Sequence, residues 1–297
     1  MEMEQIIVVL IAIAFITLAE RKILGSMQRR QGPIKQGPKG LLQSISDGIK
    51  LVLKESIIPK ESESAGIFKL SPIIGLSISL ILWLFIPIFK TSVILDDKLT
   101  IIVIYAITSI GVYSVLYSGW SSNSKYGIMG TLRSTSQLLS YEISIGIIFL
   151  NVIIVNETFN ILELAENQIF SINLYILFPI FVLFLFSMLA ETFRSPFDIV
   201  EAESELVAGN LVEYGGMSFA GMYLAEYSNI ILMSTLCSIF FFNSFFLNFL
   251  FIFFFIWIRA TLPRLRWDAL LLLGWTKILP LSLGYLLFLC SILTINF

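Results

Sequence analysis

Long apolar runs separated by polar connections dominate the chain. A helix of about 20 residues crosses a hydrocarbon core of about 30 Å, and eight runs lie close to that length, at 3–19, 70–89, 99–117, 137–155, 172–190, 217–242, 245–262 and 269–294. The stretch 215–262 would extend roughly 72 Å as one helix, so we predict a turn at Asn243 and Ser244. Lys277 and Pro280 interrupt the last run, which predicts an interfacial segment before a shorter span.

Composition supports the membrane interpretation, because 57% of the residues are hydrophobic, 13% are charged and the mean hydropathy is +0.89. A soluble domain carries about 25% charged residues. We therefore predict an all-α polytopic membrane protein that forms one membrane domain over residues 1–297, with about eight transmembrane helices.

Several classes of site are disfavoured by residue usage. Cys237 and Cys290 stand alone in apolar runs, and the chain has no histidine, so zinc or iron-sulfur ligation is not expected. A proton path would depend on carboxylates, tyrosines and water. The chain has no basic tract interleaved with aromatic residues, so we expect no nucleic-acid partner.

Lysine and arginine predict the orientation, since cationic flanks resist translocation. Ten of the 19 lie between Arg21 and Lys69, and of the others only Lys90 and Lys98 fall on the opposite set of connections. Both termini are therefore predicted to face outward, with 20–69 and 191–214 as inner loops.

The inner loop 20–69 contains a predicted amphipathic helix at 41–55. Leu41, Ile45, Ile49 and Val52 share one helical face, and charged residues share another. Such a helix lies on a surface, either on anionic headgroups or as a docking shelf for a peripheral partner.

The inner loop 191–214 is acidic, with five glutamates and one aspartate against a single arginine. Clustered carboxylates repel one another, so some are expected to bind protons near neutral pH. The alternative is a solvated acidic surface. The acids are Glu191, Asp198, Glu201, Glu203, Glu205 and Glu213.

Isolated acids inside or beside the apolar runs add to this pattern. Glu226 falls about 13 Å into its run at 1.5 Å per residue, where an ionised group is costly, so it should face protein or water. Glu142 and Glu20 lie nearer the ends of their runs. A proton path and a purely structural hydrogen bond are both open for Glu226 and Glu142. We interpret each of three arginines, taken alone, as a cation that sets the orientation of the chain in the membrane: Arg259, Arg264 and Arg266.

Together these residues resemble a known family. The resemblance covers nearly the whole chain and lies at 18–25, 28–33, 37–38, 47, 50, 54–55, 118–120, 122–124, 140–142, 190–192, 194, 196–198, 201–206, 213–214, 225–227 and 257–259. These segments resemble subunit 1 of mitochondrial NADH dehydrogenase, respiratory complex I, and its bacterial H-type homologue. A very short sixth connection departs from the family pattern.

The resemblance implies a quinone-chamber subunit in the mitochondrial inner membrane, with both termini facing the intermembrane space. It implies ubiquinone as substrate, no redox centre of its own, and flavin and iron-sulfur clusters in partner subunits. By motif, it assigns to the chamber Glu20, Arg21, Arg30, Asp47, Glu55 and Arg259. By motif, it assigns to proton coupling Glu142, Glu191, Glu201, Glu203, Glu205, Glu213 and Glu226.

Two other functions remain open at this point. The membrane subunit of an energy-converting hydrogenase has a related scaffold without NADH input, and the detailed motifs disfavour it. A secondary ion transporter would also use buried acids, and it would be active without partner subunits.

Overall fold

The computed structural model is all-helical over the residues that it describes, which are 2–56, 58–60, 62, 64–87, 94–168, 173–198, 209–243 and 247–296. The α-helices are α1 Glu2–Met27, α2 Gln43–Leu53, α3 Ala65–Leu82, α4 Thr100–Ser122, α5 Lys125–Asn156, α6 Ile161–Asn167, α7 Asn173–Ile176, α8 Phe178–Glu191, α9 Gly216–Phe242, α10 Leu247–Thr261, α11 Trp267–Leu273 and α12 Leu279–Asn296. Short 3₁₀ turns cover Pro38–Gly40, Trp83–Phe85 and Gly209–Leu211, and a π-helical turn, Gly274–Ile278, joins α11 to α12.

The predicted all-α polytopic membrane fold is confirmed. Within the described ranges, five helical stretches are long and apolar enough to cross a membrane, namely Ala65–Phe85, Thr100–Ser122, Lys125–Asn156, Gly216–Phe242 and Trp267–Thr294. Helices α1, α8 and α10 coincide with the three remaining predicted spans. Helix α9 lies at the centre of the bundle, because 78% of its most apolar 18-residue stretch is buried. The corresponding buried share for the segment of α11 and α12 is 17%.

One predicted boundary differs from the structure. Helix α5 begins at Lys125, well before the predicted span at 137, because Asn123 takes a left-handed conformation and the Ser124 hydroxyl caps the new helix by accepting from the Gly127 amide. The C-terminal segment is helical on both sides of Lys277, with the π-helical turn ending just before α12 and Pro280. The interfacial segment before a shorter span stays a prediction.

The turn after α9 is confirmed at Asn243, while Ser244 lies outside the described residues. Asn243 ends the helix with a φ of 47°, a conformation that asparagine tolerates better than most residues. Its side-chain amide donates to the Ala165 carbonyl at 2.6 Å. The chain reversal is thereby fixed against α6.

The predicted amphipathic helix is confirmed as α2. No residue of α2 is buried, and Ile45, Ile49 and Val52 are each more than half exposed. The helix runs along the ends of α1 and α9. It leaves an apolar stripe available on one side of the bundle.

The core of the bundle is aromatic where α5, α8 and α9 meet. The ring of Phe149 lies 5.1 Å from Phe240 in an edge-to-face arrangement and 6.1 Å from Phe184, geometries that aromatic pairs prefer. Phe184 and Phe240 are fully buried. These contacts hold α8 against α9 and so fix the segment that follows α8.

Gly130 marks a close backbone approach that the fold requires. A Cβ there would lie 2.7 Å from the Gly209 Cα and 3.0 Å from the Asn210 amide nitrogen. We expect Gly130→Ala to destabilise the protein by about 1–3 kcal/mol, because rigid backbone must move to make room. Thermal unfolding in mild detergent measures this change.

Gly48→Ala on α2 is the matched control for this prediction, since no described atom lies within 4 Å of the place that its Cβ would take. We expect that variant to unfold at or slightly above the wild-type temperature. Equal unfolding temperatures for the two alanine variants would contradict a tight contact at Gly130.

Candidate functional site

The segment after α8 places an arginine inside the helix bundle. The Gln137 side-chain amide donates to the Ala190 carbonyl at 2.7 Å and to the Phe197 carbonyl at 3.1 Å. The Arg194 amide donates to the Leu189 carbonyl at 3.1 Å. These bonds hold both ends of the segment, and Arg194 is 7% exposed.

Arg194 takes part in a buried charge cluster that joins three helices. Its Nη1 donates to Glu20 Oε1 of α1 at 2.7 Å, and its Nε lies 3.8 Å from Glu226 Oε1 of α9. Tyr227 donates its hydroxyl to Glu20 Oε2 at 2.6 Å, and Arg259 of α10 also pairs with Glu20. We call these five residues the Glu20 cluster.

The Glu20 cluster is balanced, with two carboxylates and two guanidinium groups. Burial disfavours the Arg194 cation, but the carboxylates of Glu226 and Glu20 outweigh it and hold the pKa of Arg194 above its ordinary value. The guanidinium carbon also lies 4.7 Å from the centre of the Tyr227 ring, a favourable cation–π distance. Arg194 is therefore a permanent positive charge between two acids.

A cavity lies beside Glu226, between α3, α4, α8 and α9. About 120 Å³ of it is open to water-sized molecules, which is room for several waters. Its lining includes Glu191, Glu226, Asn210, Asn229 and Ser114 among apolar side chains. The predicted position of Glu226, facing protein or water, is confirmed.

Glu191 has an incomplete hydrogen-bond set in this cavity. Its Oε2 atom is buried without a hydrogen-bond partner among the described residues, although buried polar atoms are nearly always paired. Glu142 lies within electrostatic range of Glu191. Both carboxylates also lie within electrostatic range of the Tyr105 hydroxyl. Water in the cavity is the partner available to the free oxygen.

A smaller cleft lies beside Glu20, between α1, α9 and α10. Glu20, Arg194 and Tyr227 form its polar end, and Ile16, Ile252 and Phe255 line its apolar part. The Arg194 guanidinium thus has one acid facing this cleft and one acid facing the large cavity. Arg194 is therefore the side chain that connects the acid of the cleft with the acid of the cavity.

The other predicted chamber residues occupy the surface near α1 and α2. Arg21 pairs with Asp47 at 2.7 Å, which ties the end of α1 to α2. Arg30 is exposed and donates to Gln28 at 2.8 Å, and Glu55 is exposed. The structure brings Glu20 and Arg259 together, whereas these four residues lie outside the Glu20 cluster.

The remaining predicted coupling residues are placed only in part. Glu213 is half-buried beside Tyr214, whose hydroxyl pairs with Ser71 at 2.8 Å and whose ring stacks on Phe68 at 4.2 Å. Glu201, Glu203 and Glu205 lie outside the described residues.

Sequence reasoning did not select Arg194 or Tyr227, although both touch Glu20. Arg194 carried a usable signal, since it is the one cation of the acidic loop 191–214. The sequence-based interpretation of Arg259 and Arg264 as orienting cations is incomplete. Arg259 pairs with Glu20, and Arg264 pairs with Asp198 at 3.2 Å.

Comparison with known proteins identifies relatives over almost the full chain. A family model described as NADH dehydrogenase matches residues 2–290. NADH-ubiquinone oxidoreductase chain 1 of Hyaloraphidium curvatum is 48% identical over 279 residues, 94% of this chain and 93% of that protein. The chain 1 protein of Chondrus crispus is 45% identical over 97% of this chain and 94% of its own length. The H-type subunit of the NADH-quinone oxidoreductase of Paramagnetospirillum magneticum is 42% identical, over 96% and 89%.

Proposed function

The chain belongs to the NADH dehydrogenase family, and on that premise we propose that it is the quinone-chamber and coupling subunit of a proton-pumping NADH:ubiquinone oxidoreductase. We place it in the mitochondrial inner membrane as a multi-pass protein, with both termini in the intermembrane space. It links the reduction of ubiquinone to proton translocation by other membrane subunits. The continuous ion pairing from Glu20 through Arg194 to Glu226 is the observation that carries this proposal.

The apolar cleft beside the Glu20 cluster supports a route for the quinone. Ubiquinone has a polar headgroup and an apolar tail, and this cleft has charged groups at one end and isoleucine and phenylalanine side chains at the other. Only about 10 Å³ of the cleft is open in this structure, so the proposal requires α1 and α10 to separate when the quinone enters. The proposed chamber comprises this cleft together with the surface between α1 and α2. Its lining residues are Glu20, Arg21, Arg30, Asp47, Glu55 and Arg259.

Electrons and cofactors come from partner subunits in this proposal. Flavin and iron-sulfur clusters are held by peripheral subunits that dock over the exposed stripe of α2. Reduction of ubiquinone to ubiquinol consumes two electrons and two protons. This chain's residues orient the headgroup and stabilise the negative charge that arises before the protons arrive.

The Glu20 cluster supplies a physical means of coupling. A unit charge placed about 8 Å away changes the electrostatic energy by roughly 2 kcal/mol at an effective dielectric constant of 20. This is enough to shift a protonation equilibrium more than tenfold. A reduced headgroup near Glu20 draws the Arg194 guanidinium towards it, which weakens the counter-charge at Glu226 and favours proton binding there.

The large cavity continues this path away from the quinone. Glu226 and Glu191 both line it, and Glu142 lies within electrostatic range of Glu191. Water in the cavity would pass protons between them. Glu201, Glu203, Glu205 and Glu213 complete the proposed coupling set, on the strength of family resemblance.

Arg21 and Arg266 provide a matched test of the chamber, since only Arg21 lies in the proposed lining. We expect Arg21→Gln to lower quinone reduction by the purified complex about three- to tenfold, because α2 loses its ion pair with α1 and the chamber wall shifts. Oxidation of NADH by an artificial acceptor, which bypasses quinone, should stay at the wild-type rate. Both activities are measured on the native-size complex.

Arg266→Gln is the control, since Arg266 lies outside the proposed chamber and its exposed side chain pairs with Asp268, itself more than half exposed, at 3.2 Å. We expect that variant to retain at least about half of the quinone-reductase rate. Parallel loss of both activities in Arg21→Gln, with normal assembly, would count against a chamber at α1 and α2.

A further inference from the structure

Lys277 is a cation within the apolar helical segment formed by α11, the π-helical turn and α12. It lies in the π-helical turn between α11 and α12, within a 28-residue candidate span. Ten residues separate it from Trp267, where α11 begins, which is roughly 15 Å along the helix. A lysine at this depth is costly in a membrane unless it is paired or hydrated.

Contacts between α12 and α5 give a similar depth for Lys277 when it is measured from the Asn156 end of α5. The Asn151 side-chain amide donates to the Ser282 carbonyl at 3.3 Å, five residues before α5 ends at Asn156. Lys277 lies five residues before Ser282 along the chain, which puts it roughly 15 Å from that end of α5. Both measures place Lys277 near the midplane of a core about 30 Å thick.

The Lys277 side chain points away from its own bundle. It is exposed, and within the described part of the chain no carboxylate pairs with it. Leu281, Gly284 and Phe288 follow on the same helical face and are exposed too. We call these four residues the Lys277 face.

Gly284 makes close approach to the Lys277 face possible. Among the described residues, nothing lies within 4 Å of the position that a Cβ would take at Gly284. Small residues at such positions let two membrane helices pack backbone to backbone. The face therefore combines an unpaired cation with open space at Gly284, about two helical turns further along.

We propose that the Lys277 face docks a transmembrane helix of another subunit, which presents an aspartate or glutamate to the Lys277 ammonium. A phospholipid phosphate is the poorer occupant, since headgroups lie about 15 Å from the midplane and a lysine side chain reaches only about 6 Å. A carboxylate on a spanning helix reaches the midplane directly. The π-helical turn fits this role, because such turns occur often at functional positions.

Zero-length coupling of amines to carboxylates in the purified complex tests the occupant. We expect mass spectrometry to find Lys277 joined by an amide bond to an aspartate or glutamate within an apolar segment of a different subunit. Lys125, which is exposed at the start of α5, serves as the control amine for general reactivity. Coupling of Lys125 without Lys277, or coupling of Lys277 to a second copy of this chain or to lipid alone, would overturn the proposal.

Substitutions give an independent readout of the same contact. Lys277→Met should lower recovery of the native-size complex at least about fivefold, since the partner's carboxylate is left buried without a counter-ion. Lys277→Arg should restore most of it. Thr276→Val is the neighbouring control, because the Thr276 hydroxyl bonds within its own helix, to the Leu272 carbonyl at 2.6 Å. Wild-type recovery of Lys277→Met would overturn the docking proposal.

This docking surface goes beyond quinone chemistry, and its failure is distinguishable from failure of the proposed function. The fraction of Lys277→Met complex that stays intact should reduce quinone at the wild-type rate per complex. A compensating exchange completes the test: Lys277→Glu combined with lysine at the coupled carboxylate should recover assembly, whereas each change alone should not.

Discussion

Replacing Arg194 with glutamine is expected to reduce quinone reduction by the assembled complex at least about 30-fold, the largest single effect that the structure supports. Removal of one partner from a buried ion pair costs about 3–5 kcal/mol, because the remaining charge stays desolvated. Glu20 would keep Arg259 and Tyr227, but Glu226 would lose the guanidinium 3.8 Å away. Quinone reduction and proton translocation are measured together in sealed vesicles.

Arg266→Gln is the matched control for this substitution. Arg266 pairs with Asp268 at 3.2 Å, and both side chains are more than half exposed, so water can replace the lost contact. We expect Arg266→Gln to retain at least about half of the activity. Arg194→Lys separates charge from shape, since an ammonium keeps the charge but lacks the planar fork that faces two acids.

The outcome for Arg194→Lys shows whether coupling depends on the positive charge at this position or on the planar guanidinium that faces both acids. We expect quinone reduction between the wild-type and Arg194→Gln rates, with fewer protons moved per electron. Wild-type rates and wild-type proton movement in an assembled Arg194→Gln complex would show that the pairing of Glu20 with Glu226 through Arg194 carries no coupling.

Most of the fold could be predicted from the periodicity of apolar runs. A run near 20 residues can satisfy its backbone in a membrane only as a helix, so composition alone determines the element type. Helix ends were less predictable, because they depend on local conformation. Asn123 in the left-handed region allows α5 to begin at Lys125, and no hydropathy window detects that.

The acids of the candidate site could be predicted from the sequence, but the ion pairs that join them could not. Glu20, Glu226 and Glu191 are conspicuous as charges in or beside apolar runs. Their relation to one another depends on Arg194, which reaches α1 across 174 positions of sequence. Such a contact follows from tertiary packing of the segment after α8, which Gln137 holds in place, and sequence spacing carries no record of it.

Lys277 illustrates the same point in the opposite direction. In the sequence it reads as an interruption of an apolar run, which predicted an interfacial segment. The structure continues the helix through a π-helical turn and leaves the lysine exposed ten residues into the 28-residue candidate span Trp267–Thr294. The exposed Lys277 charge is therefore the observation that indicates a partner helix at this face.

The second large effect is expected at Glu191, where glutamine keeps the size and hydrogen-bonding capacity of the side chain but cannot release a proton. Glu191 lines the large cavity with an unpaired buried oxygen, and Glu142 lies within electrostatic range. We expect Glu191→Gln to lower the number of protons moved per electron by at least about half and to slow quinone reduction about tenfold. Sealed vesicles with a pH-sensitive dye report both quantities.

Glu163→Gln on α6 is the control, since Glu163 is exposed and far along the chain from the cavity lining. The double substitution of Glu191 and Glu226 by glutamine tests whether the two acids act as one path. Acids in series on one path give a double variant little worse than the more severe single variant, because the path is already blocked. Independent, multiplying losses, or wild-type pumping in Glu191→Gln, would remove the cavity from the proton path and leave the quinone chamber to be coupled through another segment.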